Sequence, residues 1–436
     1  MSLRPLLEAA HEDERFRSLA ARLGRASSDG PASARVSATL RPFLLAALLE
    51  DDAALAGGPA LLVTPDDRSA RILAAELRSF LAPRRVRYYP SRGTGYASHV
   101  APPPHLVGLR IDALDALRSE SDPVVVASAI ALAEAVPDAS LRPAGFAIER
   151  GEELDLGAVA DDLAAAGYER IDQVSERGQF ALRGGILDVY PATEERAVRI
   201  ELFGDEVESL RWFSTFTQRS LGETERIELA PAAELAPEHR ELAELAAAED
   251  REGGEVPDLA DVVPIDSFQA PLELVPEGAT VVLVGDDEIE PALRDHWEDV
   301  TTAMHADDAK RLYVEVAGPL AERASLAITA TGPDDSDAFR AARAESPARS
   351  ISEAETEVEK LTRSGYRVVV AFDRIGEAER ARYNLERLDA RMLDGSSLPE
   401  DGALLLAEAP LNEGFLSPEL RLAVFPFRRL VHRRHD

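Results

Sequence analysis

The sequence predicts an α/β protein of several domains, with a parallel sheet under helical cover, an inserted α+β unit, and a second, small α/β unit. Three observations carry this reading. Short apolar runs alternate with stretches of helical spacing in both the first and the last part of the chain. Between them, from Pro143 to about Leu221, period-two alternation predominates. The length, 436 residues, also exceeds what one ordinary core accommodates.

The first segment, residues 1–142, has helical spacing over Glu14–Leu23 and again over Val36–Leu49, apart from Pro42. Ala60–Thr64 reads as a buried strand stopped by Pro65, and Asp67–Phe80 as an amphipathic helix with Ile72, Leu73, Leu77 and Phe80 on one face. Val86–Pro90 is a short strand, followed by a Gly/Pro-rich loop from Ser91 to Pro104. A helix over Leu106–Leu117, a buried strand over Val124–Ala127 and a helix to Val136 complete the segment. The insert, 143–222, places one helix, Leu156–Ala166, ahead of its strands. Residues 223–344 read as mostly helical, with one clear strand at Ala279–Val284 and a turn or linker at TGPDDSD. The last segment, 345–436, restarts the α/β pattern with strand Tyr366–Phe372, helix Gly376–Leu388 and strands at Ala403–Leu406 and Leu420–Phe425.

Composition narrows the function classes. The net charge is −32, from 80 acids and 48 bases, so duplex DNA is repelled unless arginines cluster. The absence of cysteine excludes disulfides, thiolate metal sites and a cysteine nucleophile. The histidines lack metal-site spacing, His432 and His435 falling in a basic tail, and no metal site is expected. No apolar run reaches membrane-spanning length and the N-terminus lacks the apolar core of a signal peptide, so a cytoplasmic protein is expected. Lys310 and Lys360 are the only lysines. A phosphate loop needs Gly-x-x-x-x-Gly-Lys-Ser/Thr because its lysine reaches the β- and γ-phosphates. The stretch ASSDGPASARV, where such a loop would open the first helix, offers Gly30 but no lysine. Gly-x-Ser-x-Gly is absent too, and the acid pairs Asp66-Asp67, Asp161-Asp162 and Asp286-Asp287 read as solvated turns and helix starts. No catalytic constellation stands out, and neither ATP hydrolysis nor a bound cofactor is expected.

The insert is more informative. In AVRIELF, Val198, Ile200 and Leu202 form a core face while Arg199, Glu201 and Phe203 point the other way. Gly204-Asp205 reads as a two-residue hairpin turn that pairs Leu202 with Val207. Arg183 is opposite in parity to Phe180 and Leu182, just before Gly184-Gly185. Arginine beside an aromatic on an otherwise solvated sheet is the composition of an interface hot spot. The pattern leaves open whether a second helix covers that face and makes Phe203 plain core.

The run GYERIDQVSERGQFALRGGILDVYPATEERAVRIELFGDEVESLRWFSTFTQRSL resembles the Mfd family of bacterial transcription-repair coupling factors, and more distantly the excision-repair protein UvrB. Tyr168-Glu169-Arg170, Gly178-Gln179-Phe180, Arg183-Gly184-Gly185, Arg199-Ile200-Glu201, Phe203-Gly204-Asp205-Glu206 and Gln218-Arg219-Ser220 carry the resemblance. Weaker pieces in the same order are LLVTPDDRSARILAAEL, VGLRIDALDAL, VVVASAIAL, NEGF and LRLAVF. The resemblance implies a UvrB-like module: domain 1a (1–142), a nucleotide-binding fold of P-loop NTPase type with a degenerate phosphate loop; inserted domain 2 (143–222); domain 1b (223–344); and a small domain 3 (345–436). It further implies that domain 2 binds UvrA through Arg183, Arg199 and Phe203, bringing excision repair to stalled transcription. The loop SRGTGYASHVAPPPH departs from the family's tryptophan-centred run. The chain ends at RRLVHRRHD and reads as an N-terminal fragment. The family's RNA-polymerase-binding, motor and domain-2-masking parts are expected to lie outside it, so contacts with RNA polymerase and DNA, and ATP-driven translocation, belong to a longer parent. A non-catalytic, monomeric adaptor is thus the leading expectation. The alternatives are a stand-alone UvrB-like ATPase that binds damaged DNA, and a structural brace for the motor.

Overall fold

A computed structural model describes residues 2–24, 30–96, 101–240, 264–304, 306–330, 337–385, 387–393 and 397–431. Residues 97–100, most of the TGPDDSD stretch, His432 and His435 lie outside that range. The fold is mixed α/β. Its largest sheet has seven strands in the order Asp337–Phe339, Ala32–Val36, Ala324–Thr329, Thr280–Val284, Ala60–Thr64, Val124–Ser128, Val86–Tyr89, and every neighbouring pair is parallel.

Period-two geometry sends alternate residues of each strand to opposite layers. Ala60 and Leu62 pack with helices Arg41–Leu49 and Asp67–Leu81, whereas Leu61 and Val63 pack with Pro104–Ser119, Ala129–Ala133 and Asp286–Ala303. A sheet buried on both faces needs continuous apolar strands, which is why Ala60–Thr64 and Val124–Ser128 stood out in the sequence.

Three expectations change. Residues 32–36 form a strand, and the helix begins only at Arg41 after a short 3-10 turn, Ala38–Leu40. The turn entering that helix is therefore Ser37–Leu40, not the ASSDGPASARV stretch, and it contains neither glycine nor lysine. It is closed by the Ser37 N–H donating to the Phe339 carbonyl at 3.1 Å and the Ala341 N–H donating to Ser37 Oγ at 3.1 Å. Second, the segment expected to be mostly helical contributes Thr280–Val284, Ala324–Thr329 and Asp337–Phe339 to the large sheet, so 1–142 and 223–344 build one body. Third, Arg226–Leu229 pairs with Phe146–Glu149, which carries the insert's chain past the expected end at Leu221–Gly222.

The start of the Gly/Pro-rich loop, Ser91–Tyr96, acts as packing. Tyr96 is buried against Tyr313 and Phe268, and the Arg92 guanidinium lies 4.3 Å from the Tyr96 ring centroid. Arg92 Nε donates to Glu234 at 2.8 Å, tying this loop to the chain that leaves the insert. Gly108 marks where helix Pro104–Ser119 meets the insert: a Cβ there would stand 2.5 Å from that of Ala192. Asp67 starts a helix, as read from the sequence, but it is not merely solvated: it joins strand ends, accepting from Ser128 Oγ at 2.6 Å and the Ser91 N–H at 3.1 Å.

The C-terminal unit is a six-stranded sheet in the order Ala342–Arg343, Phe415–Ser417, Leu422–Pro426, Arg367–Phe372, Leu404–Glu408, Ala390–Met392. One face packs on its own helices, Ile351–Arg363 and Ile375–Asn384. The other, through Val369, Ala371, Leu405, Val424 and Phe415, joins the core of helices Arg41–Leu49 and Asp67–Leu81. At this seam Glu76, 3% exposed, accepts the backbone N–H groups of Asn412 and Glu413. Burial pushes its carboxyl up from 4.5 to about 7, helped by the Glu413 charge and opposed by the two N–H donors and Arg428.

A group that folding makes harder to ionise stabilises the fold fully below its unfolded pKa and loses that contribution as pH rises through the folded value. Glu76→Gln keeps an acceptor oxygen and cannot titrate. Its stability relative to the parent is expected to rise by about 3 kcal/mol between pH 4.5 and 8. Urea melts at both pH values check this; a pH-independent difference would show that folding does not raise the Glu76 pKa.

Candidate functional site

The insert is built on a six-stranded sheet ordered Ser220–Glu223, Glu206–Phe213, Ala197–Phe203, Ile186–Tyr190, Gln179–Arg183, Glu169–Arg170. Its core face carries Phe180, Leu187, Val189, Val198, Ile200, Val207 and Leu210 against Val159 and Leu163 of helix Leu156–Ala165. The Gly204-Asp205 turn pairs Leu202 with Val207 as the sequence implied, and Gly204 has φ +66°, which a first turn residue of this kind needs.

The opposite face is divided. At one end Val174, Ala181, Ala197 and Phe213 make a small second core beneath the loop that follows Glu169–Arg170, with Tyr190 packed beside them. At the other end the sheet is open: Phe203 is 80% exposed, and Ile186 is exposed as well. The cover is a loop rather than a second helix, and it stops short of Phe203.

Register explains what the charged side chains do. Arg199 stands directly across from Asp188 on one neighbour and Arg211 on the other. Its Nε and Nη2 donate to the two carboxylate oxygens of Asp188 at 2.7 and 2.8 Å, and Nη2 also reaches Gln218 Oε1 at 3.3 Å. The guanidinium lies 4.8 Å from the Phe213 ring centroid and the side chain is 30% exposed. The hydrogen bonds to Asp188 hold Arg199 above its usual pKa. Arg199 is therefore not the free fork that its place in the pattern suggested. The edge formed by Nε and Nη2 is occupied by Asp188 and Gln218 takes a further bond from Nη2, which leaves Nη1 and the orientation that these partners fix. Arg183, at the end of its strand, is exposed and donates to the Asp172 carbonyl. Arg211 pairs with Glu201, which also accepts from Ser209 Oγ at 3.1 Å.

The structure thus places Arg183, Arg199 and Phe203 on one face, with Arg199 in the middle of the sheet and the other two at the ends of their strands. Asp188, Phe213 and Gln218 were not singled out individually. Asp188 has the right parity in ILDVY, but the six-residue connection Pro191–Arg196 joins its strand to the next and hides the register. Among the described residues no cluster of His, Asp or Glu has the makings of a metal site, and no helix is long and apolar enough to cross a membrane.

This six-stranded unit has a family likeness: residues 146–235 match the UvrB interaction domain, and the match includes the strand Arg226–Leu229. Over 96% of its length the chain is similar to the transcription-repair-coupling factor of Mycobacterium tuberculosis, at 28% identity. The Bacillus subtilis transcription-repair-coupling factor is 35% identical over 41% of the chain, and the UvrABC system protein B of Thermosipho africanus is 27% identical over 46%. The chain spans 38%, 15% and 32% of these three relatives respectively.

Proposed function

We propose that this chain is a non-catalytic adaptor that recruits UvrA through the open face of the inserted sheet, linking stalled transcription to nucleotide excision repair. The observation that carries it is the coincidence of two things. The segment matching the UvrB interaction domain is the segment whose outer face displays Phe203 to solvent beside Arg183 and Arg199. An exposed aromatic flanked by guanidinium groups suits a partner that offers an apolar pocket and carboxylates. Size-exclusion chromatography with purified UvrA tests it: co-elution supports an adaptor, whereas separate elution at micromolar concentrations leaves a brace for motor domains as the better account.

The non-catalytic part rests on the Ser37–Leu40 turn, which has no lysine to hold the β- and γ-phosphates. Calorimetry is expected to show no ATP binding at micromolar affinity, and a clear isotherm would revive the UvrB-like ATPase. Cytoplasmic location and a monomeric state belong to the same proposal, as does a link to RNA polymerase and DNA.

A further inference from the structure

We infer that the docking face continues past Arg199 onto the turn Ser214–Arg219, where Phe216 is a second apolar anchor for UvrA and Gln218 positions it. The inference rests on the UvrA reading above. Phe216 is 96% exposed, more than any other large apolar side chain among the described residues. An aromatic presented so fully to water is unfavourable by itself, and it sits on a turn that is held tightly. The Ser214 N–H donates to the Arg219 carbonyl at 3.0 Å and the Gln218 N–H to the Ser214 carbonyl at 2.7 Å. The Thr217 N–H donates to Ser214 Oγ at 3.2 Å, and Gln218 Nε2 to the Thr215 carbonyl at 2.8 Å.

Gln218 adopts φ +57°, a left-handed conformation that disfavours a non-glycine residue. Its amide bridges the turn and the sheet, accepting from Arg199 Nη2 at 3.3 Å while donating within the turn. Arg199 is thus gripped by Asp188 on the sheet and by Gln218 on the turn. A rigid turn carrying an aromatic gives a partner large apolar area with little ordering cost on binding. Phe203 lies four residues, or about 13 Å, along the strand from Arg199, so the two aromatics lie to either side of it. Arg183 and Arg219 are both exposed. The occupant that fits is the UvrA surface offering apolar pockets flanked by carboxylates.

The test is calorimetric titration of UvrA into the full chain, with a thermal melt of every variant. Phe216→Ala is expected to lower affinity about tenfold or more while melting like the parent. Gln218→Ala should lower it by less, and the loss in Phe216→Ala/Gln218→Ala should fall short of the sum of the two single losses, because part of the Gln218 effect acts through the aromatic and the rest through Arg199. Additive losses would overturn the positioning role. Parental affinity in Phe216→Ala, with affinity lost in Phe203→Ala, would overturn the second anchor and leave the docking face standing. No binding by the parent would overturn both.

Discussion

Phe203→Ala is expected to weaken UvrA binding by about 2 kcal/mol, roughly thirtyfold, while leaving the melting temperature close to that of the parent. The side chain is 80% exposed and supports no core, so its loss should cost the fold only about 0.5 kcal/mol. Arg183→Ala should behave in the same way, since its partner is a backbone carbonyl that water can satisfy. Arg199→Ala is different. It is expected to lose binding to a similar degree, but it also strands the Asp188 carboxylate and uncovers Phe213, costing about 1–2 kcal/mol of stability. Binding and melting must be read on the same variants. A Phe203→Ala chain that binds UvrA at parental affinity would place the interface elsewhere.

The second large effect concerns stability at the base of the insert. Arg110 Nη1 donates to Glu134 at 2.8 Å, with the two side chains 3% and 7% exposed, and also to the Pro90 carbonyl at 2.8 Å. The Arg92 N–H donates to the same Glu134 oxygen at 2.7 Å. Arg110→Met leaves a desolvated carboxylate without its cation, and is expected to cost about 3–5 kcal/mol in urea denaturation. Removing both charges in Arg110→Met/Glu134→Leu should recover part of that loss, since an apolar pair can replace a buried ion pair at little net cost. Recovery should stay incomplete, because leucine cannot accept from the Arg92 N–H. A single variant that melts like the parent would mean that water reaches the pair.

Arg199 shows where reading from sequence stops. Its outward parity, and that of Phe203, follow from the alternation in AVRIELF and from a two-residue turn that fixes Leu202 opposite Val207. Its partner does not follow, because the connection from Ile186–Tyr190 to Ala197–Phe203 is too long to set a register. Ala32–Val36 went unread for a related reason. ASARV has weak strand character, and it becomes a strand through parallel pairing with Ala324–Thr329 and Asp337–Phe339, some three hundred residues away.

By itself the sequence determined the α/β class, the buried strands Ala60–Thr64 and Val124–Ala127, the α+β character of the insert, and the outward placing of Arg183, Arg199 and Phe203. Each depends on periodicity or turn chemistry within a few residues, where backbone geometry dictates the answer. Only the tertiary structure decided that residues 1–142 and 223–344 share one sheet, and that the C-terminal sheet shares a core with the first helices. It also decided that a loop covers one end of the insert's outer face while Asp188 and Gln218 hold Arg199. These depend on pairings between distant segments, which local patterning permits but does not select.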